Sequence, residues 1–143
     1  MKLELRKVTH NARLSHETAA YAAEIWVDGV KRGTAENDGQ GGPDRICPHS
    51  LQVELEAYAA TLPKVKFFGE EHEQNADILL GSLLDEHLAT KRLLRMTKTK
   101  TVMVRDGKAY TMKGRPANVA PGTVFLNDLP LAEALKAFRA AGG

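Results

Sequence analysis

Apolar and polar positions alternate from the start of this chain, with Leu3 and Leu5 set against Glu4 and Arg6 between Lys2 and Val8, which predicts a half-buried strand. A polar connection, Asn11 to Thr18, follows without periodicity. Tyr21 to Val27 and Val30 to Asn37 then read as two strands joined by Asp28-Gly29, a pair suited to a type I′ turn with positive φ at both central residues. Counting outward from that turn pairs Val27 with Val30, Trp26 with Lys31 and Ile25 with Arg32, and places a lysine where it can stack on the only tryptophan.

Helical periodicity begins after Pro48-His49-Ser50, where Leu51, Leu55, Tyr58, Ala59 and Leu62 share a side, and Pro63 ends it. Lys64 to Gly69 is an apolar connector open to either assignment, and Glu70-Glu71-His72-Glu73 reads as a solvated acidic turn. Asn75 caps a longer helix whose stripe is Leu79, Leu80, Leu83, Leu84, Leu88 and Leu94. Thr101 to Arg105 and Lys108 to Lys113 form a second hairpin around Asp106-Gly107. Its register opposes Arg105 to Lys108, Lys100 to Lys113 and Met103 to Tyr110. A turn-rich loop from Gly114 to Gly122, a short strand at Thr123 to Leu126 and a last helix carrying Leu131, Leu135 and Phe138 complete the chain, with Asn127 or Asp128 near that helix's start. Tight hairpins in place of long crossovers predict one α+β domain over residues 1–143, an antiparallel sheet built from two hairpins with about three helices packed on it.

Composition adds little until the charges are placed. The net charge is +2, yet Glu17 to Glu86 holds fourteen acids against five bases, while Lys91 to Arg115 holds nine bases against Asp106 alone. A basic block of that density is either a solvated face or the footprint of an anionic partner. Like charges directly opposed on a hairpin repel, which tips the reading towards an anion. Cys47 is the only cysteine, so no intramolecular disulfide and no cysteine zinc site can form, and no apolar segment approaches membrane-spanning length. These features predict a protein of a reducing cytoplasm with no membrane association.

No catalytic arrangement stands out. Ser15-His16 and His49-Ser50 are merely sequence neighbours, Cys47 near His49 reads as packing, and His10 and His16 lack a third metal ligand nearby. The chain is therefore expected to be no enzyme and to need no cofactor. Binding chemistry is richer. Asn37-Asp38-Gly39-Gln40-Gly41-Gly42-Pro43-Asp44-Arg45 places three glycines and an arginine at the end of a strand, which is either a wide turn or an amide cradle for phosphate. The candidate ligand-binding residues are Asn37, Gly39, Gly41, Gly42 and Arg45 in that loop, and Arg92, Arg95, Lys100, Arg105, Tyr110 and Arg115 in the basic segment, where guanidinium forks hold phosphates and an aromatic face holds a base.

Val27-Asp28-Gly29 followed by Asn37-Asp38-Gly39-Gln40-Gly41-Gly42, with Phe125-Leu126-Asn127-Asp128-Leu129-Pro130 near the end, resembles the Thoeris anti-defence family of small phage-encoded sponges for nucleotide signals. The resemblance implies a non-enzymatic protein of the host cytoplasm. Such a protein sequesters a small phosphorylated signal of the cyclic ADP-ribose type, or cyclic di- or trinucleotides, within a dimer or higher symmetric oligomer. The competing readings are a nucleic-acid-binding or anti-CRISPR-type inhibitor of a host defence complex, and a small enzyme acting on a phosphorylated substrate.

Overall fold

The computed structural model describes residues 1–142, apart from the side chain of Phe67. Four strands, β1 (Leu3–Asn11), β2 (Ala20–Val27), β3 (Val30–Asp38) and β4 (Arg45–Cys47), pair antiparallel in chain order. Helix α1 (His49–Ala60) follows, then a small hairpin of β5 (Val65–Phe67) and β6 (Glu70–His72), then the long helix α2 (Ala76–Thr99). Strands β7 (Thr101–Arg105), β8 (Lys108–Met112) and β9 (Val124–Phe125) form a third antiparallel sheet in the order β8-β7-β9, and α3 (Leu131–Ala140) ends the chain.

The protein is α+β, with three helices on antiparallel sheets, but the β-structure is three separate sheets instead of one built from two hairpins. The sequence reading treats the chain as one domain; by backbone proximity it sorts into two compact units, Met1–Leu84 and Asp85–Gly143.

In the first unit, Tyr21, Ala23, Ile25 and Val27 alternate into the core on β2 and Ala35 joins them from β3. Ile46 on β4, Leu51, Leu55 and Ala59 on α1, and Leu80 and Leu84 on α2 are buried in the same unit. Gly33 makes close contact possible between β3, β4 and α1, because a Cβ there would fall onto the Cys47 carbonyl oxygen and lie 2.7 Å from Leu51 Cδ2.

The Asp28-Gly29 turn forms as expected, with φ of 49° and 81°, and Val27–Val30 and Trp26–Lys31 pair. The expected Ile25–Arg32 pair does not form: a register shift pairs Ile25 with Gly33. That bulge turns Arg32 to Glu54 on α1, 2.8 Å away, while Lys31 is held 3.0 Å from Glu24. The cation over Trp26 is consequently Arg6 from β1, at 3.9 Å from the ring centre, and not Lys31.

In the second unit Leu93, Val102, Leu126, Ala134 and Phe138 form the core. Leu93 takes the place expected of Leu94, which is 50% exposed. The second hairpin has the predicted register, Arg105–Lys108 and Met103–Tyr110, but its ladder ends at Thr101–Met112, so Lys100 and Lys113 lie beyond it. Asn127 is not a helix cap. Its Oδ1 accepts from Val102 N–H at 2.8 Å and its Nδ2 donates to the Lys100 and Thr97 carbonyls at 3.0 and 3.3 Å, which locks the end of α2 to the start of β7. Asn127→Ala leaves these backbone groups without their partner and is expected to cost about 2 kcal/mol, read from urea unfolding.

Candidate functional site

The candidate residues fall into two groups, one in each unit. In the glycine-rich loop after β3, Asn37 is the hub: its Oδ1 accepts from Gly39 N–H at 2.8 Å and from the Thr18 hydroxyl at 2.7 Å, and its Nδ2 donates to the Gly42 carbonyl and to Asp44 Oδ1, both at 3.0 Å. Gln40 N–H donates to Asp38 Oδ1 at 3.1 Å and Gly41 N–H to Thr18 Oγ1 at 3.3 Å. The amides of Gly39, Gln40 and Gly41 are therefore occupied by side-chain oxygens, which favours the wide-turn reading of the loop over the amide cradle.

The surroundings of the loop are acidic as well. Glu17 covers Gly41, where a Cβ would meet its Oε2, and Asp44 N–H donates to Asp77 Oδ1 at 3.2 Å. Arg45 turns to Glu36, at 3.1 Å. An anion placed here would face several carboxylates and no unpaired arginine of the loop. The glycines serve the chain's own path: Gly39 and Gly41 have φ of 84° and 93°, and the Gly39 carbonyl receives the N–H groups of His16 and Glu17 at 3.2 and 3.0 Å.

Beneath the loop the Tyr21 hydroxyl is buried close to Asp44. Burial, then Asp44 and Asp77, hold its pKa well above the ordinary phenol value. Burial also raises Asp44 above the usual carboxylate range, against the opposing effect of its bond from Asn37. A folded-state pKa above the unfolded one makes a contribution that is complete below the unfolded pKa and is lost as pH rises through the folded value. Asp44→Asn keeps an acceptor for Asn37 and is expected to be more stable than the parent at pH 8, with the gain disappearing near pH 4. Urea unfolding at the two pH values measures this, and a variant less stable at pH 8 would contradict it.

The second group lies on the β7–β8 hairpin. Alternation puts Val102 and Val104 toward the core of the second unit and sends Met103 and Arg105, with their partners Tyr110 and Lys108, to the other face. There a cavity of about 290 Å³ is lined by Met103, Arg105, Tyr110 and Met112 from the hairpin and by Pro116, Val119 and Thr123 from the following loop. The Arg105 guanidinium sits 5.6 Å from the centre of the Tyr110 ring. Thr123 closes the loop on itself, its N–H and hydroxyl both donating to the Ala120 carbonyl at 3.3 and 2.7 Å.

Of the nine bases between Lys91 and Arg115, only Arg115 enters an ion pair among the described residues. It bonds Asp128 at 2.7 Å and lies 4.4 Å from the Phe125 ring centre, and its hydrogen bond holds the Asp128 carboxyl below the usual range. Arg92 and Arg95 are exposed on α2, with Arg92 5.9 Å from the Phe138 ring centre, and Lys100 is exposed beyond the helix. The structure thus brings Arg105 and Tyr110 together at one cavity, engages Arg115 elsewhere, and leaves Arg92, Arg95 and Lys100 off its wall. The sequence reading missed Met112, Pro116 and Val119 as wall residues; the register already placed Met112 near the aromatic face, whereas a nonperiodic loop gave no sign of folding over it.

Among the described residues no three His, Cys, Asp or Glu side chains gather as a metal group, and no helix is long and apolar enough to cross a membrane. Comparison with protein-family models, curated proteins and solved structures finds no match to this chain. The motifs that carry the family resemblance have structural work of their own: Asp28-Gly29 makes a turn, Asn37 organises a loop and Asn127 ties a helix to a strand.

Proposed function

We propose that this chain is a non-catalytic binding protein that sequesters a cyclic nucleotide signal, of the ADP-ribose or oligonucleotide class, at the outer face of β7–β8. The observation that carries the reading is the cavity itself, where one guanidinium and one phenol ring share a wall with two methionines in a segment whose bases, Arg115 apart, lack acidic partners among the described residues. A base stacks on Tyr110 and the methionine side chains, and phosphate oxygens meet Arg105 and Lys108. At about 290 Å³ the cavity lies at the small end of ligand sites, so it takes one base with its sugar and not a whole cyclic dinucleotide. Two copies would together hold both halves, which accords with the symmetric oligomer that the family resemblance implies. Counter-defence in a host cytoplasm is the setting in which such sequestration is useful.

Calorimetric titration with a cyclic ADP-ribose isomer and with cyclic dinucleotides tests this, followed by denaturation of the complex and chromatography of what is released. Saturable binding and an unaltered ligand are expected. Conversion of the ligand would make the protein an enzyme instead, and absence of binding to every compound would remove the reading. Nucleic-acid binding is the second reading, favoured by the exposed, unpaired Lys91, Arg92, Arg95 and Lys98 on α2. It requires affinity for generic DNA or RNA that falls steeply with salt, about 0.9 in the logarithmic slope for each duplex phosphate neutralised.

A further inference from the structure

Among the described residues three hairpin turns place two successive residues at positive φ, and one of them has an unfavourable first residue. Asp28-Gly29 and Asp106-Gly107 use aspartate at φ of 49° and 52°, as such turns favour. The β5–β6 turn uses Phe68-Gly69, with φ of 51° and 81°. A bulky residue in the left-handed region costs about 1 kcal/mol or more. Phe68 recovers none of it locally, since its relative exposure is 107%. A partner that buried the ring would offset the cost of this strained and wholly exposed aromatic at a hairpin tip.

The second unit holds a groove of comparable size to a ring. This groove of about 290 Å³ runs between the end of α2 and the start of α3, with Leu93, Leu126 and Ala134 at its base and Thr97 and Asn127 adding polar groups to its wall. Leu94 and Leu131, 50% and 46% exposed, stand at its mouth. That space suits a single aromatic ring. Charge also matches: Lys91 and Lys98 flank Leu94 along the helix at i−3 and i+4, exposed and without ion pairs among the described residues, and Glu133 is the acid on the α3 side. The chain from Phe67 to Thr90 carries no lysine or arginine, and Glu70, Glu71 and Glu73 follow the tip directly. Lys66 stands opposite Glu71 in the hairpin register and His72 Nε2 lies 3.9 Å from Glu70, so acids outnumber lysines at the tip.

We propose that this groove receives Phe68 of a second copy of the chain, with Glu70 and Glu73 of the incoming hairpin against Lys91 and Lys98. Where two copies exchange tips about a two-fold axis the interface is isologous and closes as a dimer; a one-way contact of tip with groove is heterologous and closes as a ring or propagates. It needs no ligand and stands whether or not the β7–β8 cavity binds one.

Sedimentation velocity on the ligand-free protein tests it. The parent chain is expected to self-associate as concentration rises through the micromolar range. Phe68→Asn restores a residue that the turn favours, so it should be monomeric and at least as stable as the parent. Leu94→Glu should be folded, because the position is half exposed, and monomeric as well. Mixing the two variants is the decisive step: one has an intact groove and the other an intact tip, so an equimolar mixture should form a one-to-one complex that neither forms alone. Lys91→Glu with Lys98→Glu leaves the groove floor untouched and should weaken parent self-association at least several-fold. A parent chain that stays monomeric throughout, a Phe68→Asn variant that associates like the parent, or a mixture of folded variants that stays monomeric would each overturn the proposal.

Discussion

Gly39→Ala is expected to unfold the first unit or to cost it more than about 4 kcal/mol, while Gly42→Ala, three residues on in the same loop, changes stability by less than about 0.5 kcal/mol. Gly39 is buried at φ of 84°, and a Cβ there would fall onto the Leu14 carbonyl oxygen and lie 3.0 Å from Ala20 Cβ. Those neighbours are backbone and core, so they cannot swing aside as a long side chain would. Displacing them also pulls on the bonds from His16 and Glu17 to the Gly39 carbonyl and from Gly39 N–H to Asn37, each worth about 1 kcal/mol. Backbone strain for an alanine at positive φ adds about another 1 kcal/mol. At Gly42, by contrast, a Cβ meets nothing within 4 Å. Equilibrium unfolding in urea separates the two. Equal costs would mean that the loop is not held from within through Asn37 and Gly39.

The same loop shows where sequence reading stops. Three glycines and an arginine suit a phosphate cradle equally as well as a turn. Asn37 and Asp38 take the Gly39 and Gln40 amides from within the loop, while Thr18 and Asp77, remote in sequence, take the Gly41 and Asp44 amides and Glu17 covers Gly41. Local signals fared better where a short rule governs the backbone: both Asp-Gly turns form, and counting from Asp106-Gly107 gives every β7–β8 pair that forms, the expected Lys100–Lys113 pair falling beyond the ladder. From Asp28-Gly29 the count holds for two pairs and then slips, because the close approach of Gly33 to Cys47 and Leu51 is a tertiary demand. The short β4 was missed since three residues carry no period, and β5–β6 was missed since Phe-Gly is not a turn signal. On α2 the buried face moves from Leu80 and Leu84 to Ala89 and Leu93. The second half of that helix serves the core of Val102, Leu126 and Phe138, and a single straight stripe does not foresee two cores.

Tyr110→Ala is expected to weaken binding of the cyclic nucleotide by about 5- to 150-fold, the equivalent of about 1–3 kcal/mol for one lost base stack. Arg105→Ala should weaken it by about 10- to 150-fold, since a charge-assisted hydrogen bond is worth about 1.5–3 kcal/mol. Their effects on the ligand-free fold differ. Tyr110 is 42% exposed and outside the core cluster, so its loss changes stability little. Arg105 lies opposite Lys108, so Arg105→Ala relieves a repulsive cross-strand pair and should leave the free protein as stable as before or slightly more so. The ring and the guanidinium are neighbours at 5.6 Å, so the double variant should lose less than the sum of the single losses. Arg115→Ala is the internal control. Its guanidinium is committed to Asp128 and stacked on Phe125, so affinity should stay within about twofold of the parent even though one positive charge is gone. Calorimetric titration of the four variants, each first shown to be folded, gives the comparison. If Arg115→Ala weakens binding as much as Arg105→Ala does, the ligand responds to the overall charge of the basic segment and not to the cavity, and the extended nucleic-acid reading takes precedence. If Tyr110→Ala binds as the parent does, no base stacks at this wall, and the cavity loses its claim to the ligand.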